Sequence, residues 1–195
     1  EALLINKSLT IKAASKPIIE APDTRNTYTI SESAATFDPI VFAYGGTMIG
    51  GAVSGSGTIN VTFDGFEIDG RNKAVSARYV GILYRNVNPG VIANNTIHNM
   101  YDADGQGNGP QTFGILTYGD SDVAIEYNEV RDFSRGGIGV VGDNGALPDP
   151  VATVAQNTVA GNGLEAGSGW WAENGIQMGY GAGGVIRDNE VTNCK

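Results

Sequence analysis

The sequence is poor in the residues on which several large classes of protein depend. It has one cysteine, Cys194, and one histidine, so no disulfide can form within the chain and no cysteine-based zinc spacing exists. No apolar run approaches the roughly 20 residues that a membrane-spanning helix needs. Twelve basic residues face 21 acidic ones, and the net charge of −9 repels phosphate backbones. These absences argue against a disulfide framework, membrane insertion and nucleic-acid binding.

Glycine and a repeated pattern are what the sequence has in abundance. There are 29 glycines, yet 41% of the residues are hydrophobic, which is enough for a core. The pattern apolar-x-x-Asn-x-apolar recurs with the asparagines 33, 29 and 32 residues apart, and an earlier copy has Phe66 in the same place. The four asparagines are Asn95, Asn128, Asn157 and Asn189. A Gly-Ile phrase interleaves with them at Gly81, Gly114, Gly137 and Gly175. Self-similarity at this period indicates a solenoid.

The length and chemistry of the repeat decide which solenoid it is. No sustained 3.6-residue apolar period follows residue 58, so helices should be few or absent. Propeller blades need more residues, and leucine-rich repeats need a leucine frame with a helical segment. The sequence therefore predicts an all-β fold, a single-stranded right-handed parallel β-helix with about 30 residues per coil. We expect one domain over residues 1–195, and both ends read as if they enter mid-coil, as in a piece of a longer chain.

Stacking gives each repeated position a role. The apolar residues on either side of each asparagine should point inward as aliphatic columns, and the asparagines should sit at a left-handed bend with their amides bonded from coil to coil. In the Gly-Ile strand the outward positions carry no carboxylate, whereas glycoside hydrolysis needs two that converge. These outward positions are Leu83, Leu116, Gly139 and Gln177, followed by Arg85, Tyr118, Val141 and Gly179. Along the asparagine strand, the outer column should be Glu67, Thr96, Glu129, Thr158 and Glu190.

The opening segment 1–11, followed by the Asn-x-Ile/Val and Gly-Ile phrases, resembles the β-helix proteins grouped as carbohydrate-binding and sugar-hydrolase (CASH) domains. That broad set includes the NosD-like periplasmic proteins and many pectate-lyase-like folds. The resemblance covers nearly the whole chain. It implies an extracellular, periplasmic or cell-surface protein that meets polysaccharide. It does not imply catalysis, because a fold alone does not define a function.

Two segments carry the candidate metal-binding and catalytic residues. The loop that begins at Asp102 is similar to calcium loops of the Asp-x-Asp-Gly type, with Asp102, Asp104 and Asn108 as oxygen ligands for Ca²⁺, although it lacks a terminal glutamate. It reads equally as a polar turn. His98 and Tyr101 precede this loop, and such a pair can act as base and acid in β-elimination of a uronate polymer. Lyases of this fold often use calcium together with an Arg or Lys base, and this implies roles for Arg78 or Arg85.

A second long loop is the strongest candidate for ligand binding. The insertion 164–174 contains Trp170, Trp171 and Glu173 and lengthens one coil just before a Gly-Ile strand. Adjacent tryptophans in an extended segment cannot both point inward, and exposed rings suit stacking on sugar faces. The Asp102 loop should emerge at the corresponding corner, with Tyr118 on the strand between the two loops. We therefore expect the two loops to wall one groove.

Two functions compete for this architecture. The first is a carbohydrate-binding or polysaccharide-processing domain with a loop-walled groove, in which any chemistry would be of the lyase rather than the hydrolase kind. The alternative is a non-catalytic structural or adhesive segment of a surface protein. The two differ in whether Trp170, Trp171 and Tyr118 are exposed together on one face.

Overall fold

The computed structural model describes residues 1–75, 77–101, 111–143, 145, 147–163 and 173–194. These residues form β-strands and connections, with no helix among them. Most of the strands pair in parallel, and they form three sheets, which confirms the predicted β-helix. Consistent with this, the described part of the chain holds no helix long and apolar enough to cross a membrane.

Twenty-one strands build six coils, each with three main strands. Coil 1 has β1 (Leu3–Ile5), β2 (Leu9–Lys12) and β3 (Ile18–Glu20). Coil 2 has β4 (Tyr28–Ile30), β5 (Ala35–Tyr44), β6 (Thr47–Ile49), β7 (Ala52–Ser54), β8 (Ile59–Asp64) and β9 (Glu67–Asp69). Coil 3 has β10 (Arg78–Arg85), β11 (Val87–Ala93) and β12 (Thr96–His98). Coil 4 has β13 (Thr112–Tyr118), β14 (Asp122–Glu126) and β15 (Glu129–Arg131). Coil 5 has β16 (Gly136–Val141), β17 (Val151–Ala155) and β18 (Thr158–Ala160), and coil 6 has β19 (Asn174–Gly179), β20 (Gly183–Arg187) and β21 (Glu190–Thr192).

Equivalent strands of successive coils pair in parallel to give three sheets. Sheet A contains β1, β5, β10, β13, β16 and β19, sheet B contains β2, β8, β11, β14, β17 and β20, and sheet C contains β3, β9, β12, β15, β18 and β21. The apolar columns stack inside as the repeat predicted. In sheet B, for example, Ile92, Ile125 and Val154 lie in register and are fully buried. The predicted outer column of sheet C is also in register, from Glu67 through Thr96 to Glu190.

The asparagine ladder marks the corner between sheets B and C. Each side-chain amide donates to the next asparagine's Oδ1 at 3.1, 3.0 and 2.9 Å, from Asn95 through Asn128 and Asn157 to Asn189. The same Oδ1 atoms accept backbone N–H groups of the preceding coil. Stacked amides therefore satisfy polar groups that the corner buries.

One expectation about this corner is wrong. The left-handed residue is not the asparagine but the residue before it. Its φ is 56° at Asn94, 58° at Tyr127, 56° at Gln156 and 55° at Asp188. The asparagine's own amide must face the neighbouring coils, so the turn is made one residue earlier. From coil 2 onward the corner is always two residues long, whereas the other two corners vary in length, for instance 142–150 against 180–182.

Extra strands before and after β5 in coil 2 build a feature that the repeat did not predict. β4 pairs antiparallel with the start of β5, and the hairpin of β6 and β7 extends the same sheet. We call β4, the turn 31–34 and this hairpin the cover. Its side chains join a second apolar cluster on the outer face of sheet A, in which Phe42 and Leu83 are fully buried. The outer face of sheet A is thus a second core over coils 2 and 3.

Candidate functional site

A cleft of about 280 Å³ lies on the outer face of sheet A, next to the cover. It extends from the start of β5 in coil 2 across the strands of coils 3 to 6, so most residues at its floor come from outward positions of stacked Gly-Ile strands. Its lining is Ala35, Phe37, Arg78, Gln111, Phe113, Leu116, Tyr118, Arg135, Val141, Gly142, Gln177 and Tyr180. Polar and cationic groups therefore surround an apolar and aromatic floor, which is the usual composition of a ligand site.

The charge of the cleft is positive although the chain is acidic. Arg78, at the start of β10, is exposed, donates from Nε to Gln111 Oε1 at 3.4 Å, and lies over the Phe37 ring at 5.6 Å. Arg135 is half-buried just before β16 and is tied to coil 4 by its backbone N–H, which donates to the Thr112 carbonyl at 3.2 Å. No carboxylate is among the described residues that line the cleft. A carboxylate or sulfate group in the cleft would thus meet two guanidinium groups of the lining.

Tyr118 lies in the cleft and is almost completely buried. Its ring meets Phe37 edge-on at 5.8 Å and belongs to the apolar cluster that includes Ile30 and Val53 of the cover, and burial raises the pKa of its hydroxyl. Tyr118 thus joins the floor of the cleft to the cover.

Arg85 points outward from sheet A, as its position predicts, but the cover closes over it. It has no exposed surface, its Nη2 is 3.0 Å from Glu32 Oε1, and its Nη1 donates to the Gly45 carbonyl. Burial lowers the pKa of the guanidinium, and the charge of Glu32 opposes this shift. Arg85 therefore connects the coils to the cover.

His98 lies on a different side of the molecule from Arg85. It ends β12 in sheet C, is nearly buried, and its Nε2 is 2.9 Å from Glu67 Oε1 of the coil before. Arg85 ends a strand of sheet A, at another corner of the same coil. The fold therefore does not bring these two candidate catalytic residues together.

Tyr101 and Glu173 do approach each other, at the corner between sheets C and A. The Asn162 backbone N–H donates to Glu173 Oε1 at 3.1 Å, and the charge of Glu173 acts on the Tyr101 hydroxyl. Burial chiefly, with the nearby Glu173 charge, raises the pKa of the Tyr101 hydroxyl. Both residues are nearly buried, and neither lines the cleft.

The two predicted loops begin and end at this same corner. Tyr101 and Gln111 flank one of them between β12 and β13, and Gly163 and Glu173 flank the other between β18 and β19. The candidate ligands Asp102, Asp104 and Asn108, together with Trp170 and Trp171, lie outside the described residues. Within the described residues, no group of three His, Cys, Asp or Glu side chains is placed to hold a metal ion.

Sequence reasoning missed two polar residues of the cleft, Gln111 and Arg135. Each stands one position before a strand of sheet A, and Arg78 opens the strand of the coil before them. The signal was available as a polar residue directly before each Gly-Ile strand. It was overlooked because the outward positions were counted only within the strands.

Fold and cleft together define a three-sheeted parallel β-helix with a ligand-sized depression on one sheet. The chain belongs to the right-handed β-helix family, whose model, described as the right handed beta helix region, matches residues 10–195. No curated protein and no solved structure matches the chain.

Proposed function

We propose that the protein binds an anionic polysaccharide in the cleft on sheet A. The observation that carries the proposal is the placement of Arg78 and Arg135 around a floor that includes Phe113, Leu116 and Tyr118. Sugar rings present apolar faces that suit such a floor. Arginine pairs with carboxylate or sulfate through two parallel hydrogen bonds.

Binding, rather than bond cleavage, is the activity that the described lining supports. The groups that face the cleft are arginines, glutamines and aromatic rings, which hold an anion and stack on a ring. Lyase chemistry with Ca²⁺ at the Asp102 loop stays a prediction from the sequence. The proposal also includes the location that the family resemblance implies, which is the cell surface, the periplasm or the extracellular space.

The first experiment compares polygalacturonate with its fully methyl-esterified form, because the two differ mainly in charge. Calorimetry measures binding directly, and the fluorescence of the chain's two tryptophans is recorded in parallel. We expect saturable binding of the acid form and at least about tenfold weaker binding of the ester, since a hydrogen bond to a charged group contributes about 1.5–3 kcal/mol. Equal affinities for both forms would contradict the role given to the arginines.

Two substitutions locate the binding site. Arg78→Gln and Arg135→Gln should each weaken binding of polygalacturonate about tenfold or more. Arg187→Gln is the matched control, because Arg187 is exposed on sheet B outside the cleft and pairs with Asp188 at 2.9 Å. Equal losses from all three variants would show that overall charge, not the cleft, governs binding.

A second candidate function has its own observation. The asparagine ladder and the doubly cored sheet A give a rigid rod, which suits a structural or adhesive segment of a surface protein. Absence of saturable binding by any glycan, with intact fold, would favour this rod function.

A further inference from the structure

We infer that the cleft receives the end of a polysaccharide chain rather than its interior. This inference rests on the proposed function and adds a statement about which part of the polymer binds. It follows from the cover, which turns the outer face of sheet A from an open trough into one with a closed end.

The cover seals the part of this face that carries Phe42 of coil 2 and Leu83 of coil 3. Phe42 of β5 and Leu83 of β10 occupy the same outward column as Leu116 of β13 and Gln177 of β19. The first two have no exposed surface, whereas Gln177 is half-buried and lines the cleft. Leu116 and Gln177 line the cleft, whereas Phe42 and Leu83 lie in the apolar cluster under the cover, so a ligand that follows this column is stopped where the cover begins.

Polar contacts hold the cover down at several points. Glu32 accepts from Arg85 at 3.0 Å and from the Gly55 N–H at 2.7 Å, and the Asn86 side-chain amide donates to the Gly55 carbonyl at 3.0 Å. The Tyr28 ring also packs 5.4 Å from that of Phe42. Because charged and aromatic contacts act together, the cover is a fixed part of the fold and not a loop resting on it.

The boundary of the cover coincides with one wall of the cleft. Ala35 and Phe37, at the start of β5, line the cleft on this side, and Tyr118 and Arg78 pack against the Phe37 ring. A polymer lying along the helix axis would meet this wall and could not pass beyond it. Its terminal residue would then stop beside Arg78, where a guanidinium is available for a terminal carboxylate.

The test measures how binding depends on polymer length, with the unmodified protein and oligogalacturonates fractionated to 2, 4, 8, 16 and about 100 residues. If chain ends are bound, the number of protein molecules bound per polymer molecule stays at one for every length. If interior segments are bound, that number grows with length. Growth with length would overturn the inference and leave the proposed function standing, whereas absence of saturable binding throughout the series would overturn both.

A second measurement identifies the end. Eight-residue oligomers carrying a bulky label at the reducing end, at the non-reducing end or at both ends are compared with the unlabelled oligomer. We expect one singly labelled form to bind as the unlabelled oligomer does, and the other, together with the doubly labelled form, to lose at least tenfold in affinity. Unchanged affinity of the doubly labelled oligomer would overturn the inference, because the wall leaves no room for a label.

Discussion

At the scale of single residues, the corner between sheets B and C makes the most specific demand on the chain. In each coil, one residue there takes a left-handed backbone conformation, and the positions are occupied by Lys16, Gly65, Asn94, Tyr127, Gln156 and Asp188. Five of the six are not glycine, although a side chain makes this conformation unfavourable by about 1 kcal/mol or more. The ladder next to the turn outweighs this cost.

Substitution at Gln156 tests that balance, because no side-chain contact complicates the result at this exposed site. Gln156→Gly should raise the free energy of unfolding by about 0.5–1 kcal/mol, since glycine adopts positive φ without strain. Gln156→Val should lower it by about 1 kcal/mol, because a β-branched side chain tolerates this region least. Urea denaturation followed by circular dichroism measures both changes. Thr158→Val, exposed on the adjoining strand, is the control and should change little; a similar loss there would argue against backbone strain.

A buried carboxyl group gives the molecule a defined response to pH. Asp38 is 3.0 Å from Arg25, whose guanidinium also lies 4.7 Å over the Tyr79 ring. Burial raises the pKa of Asp38 from 3.8 to about 6, although the charge of Arg25 acts in the opposite direction. The folded state therefore binds this proton more tightly than the unfolded state does. The stability gained from protonated Asp38 is fully present below pH 4 and is lost as the pH rises through about 6.

Asp38→Asn should remove that pH dependence. Between pH 4 and pH 6.5 the original protein should lose on the order of 2 kcal/mol more stability than the variant. Urea midpoints at half-unit intervals of pH provide the measurement. Asp122→Asn, on an exposed carboxylate, should keep the slope of the original protein; a parallel slope in Asp38→Asn would contradict the assignment to this group.

At the scale of elements, the cover is joined to the coils by one charge pair together with hydrogen bonds and an apolar cluster. Arg85 and Glu32 stand 53 residues apart in the sequence and form the only charge pair described between the coils and the turn 31–34. Removal of one partner leaves a buried charge uncompensated, and this typically costs several kcal/mol.

Glu32→Gln should therefore loosen the cover before it affects the coils. The amide can still accept the Gly55 N–H, so the loss of about 2–3 kcal/mol comes mainly from the uncompensated Arg85 guanidinium. Hydrogen exchange should show faster exchange in β4, β6 and β7, with little change in β13 to β18. Glu190→Gln, an exposed carboxylate on sheet C, should leave both regions unchanged. Uniform loss of protection along the chain would show that the cover is not a separate unit.

The cover also shows where prediction from sequence ended. The columns and the amide ladder followed from a repeated pattern, because Asn128 has chemically identical neighbours one coil before and after it. Residues 21–57 occur once and have no period, so nothing in the sequence indicated that they fold back over Leu83. The outward position of Arg85 was predicted, but its partner Glu32 was not, because pairing at that distance depends on tertiary structure. Arg135 was missed for the simpler reason that it precedes its strand.

At the scale of the whole molecule, stability should vary along the axis, because each coil contacts only its neighbours. Ile125 and Ile186 occupy the same inward column of sheet B, in coils 4 and 6. Ile125 is fully buried, whereas Ile186 is 48% exposed. The same residue type in the same role thus has different surroundings.

The pair makes a matched test. Ile125→Ala should lower the free energy of unfolding by about 3 kcal/mol, and Ile186→Ala by about 1 kcal/mol, since the buried site also leaves a cavity. Equilibrium unfolding in urea measures both. Equal losses would show that coil 6 is packed as tightly in solution as coil 4, contrary to the exposure of its side chains.

The unequal corners of the coils have a practical consequence. The turn between sheets B and C has kept its two-residue length from coil 2 to coil 6, while the segment 142–150 is three times as long as its counterpart 180–182. A foreign peptide inserted between the exposed residues Pro148 and Asp149 should project from the outside of the coils and leave Gly142 in the cleft and Leu147 in the apolar cluster. The same graft beside Asn128 would interrupt the line of amides and separate the two halves of the stack. The molecule thus offers protein engineers a scaffold with one corner of constant length and two corners whose length can be changed.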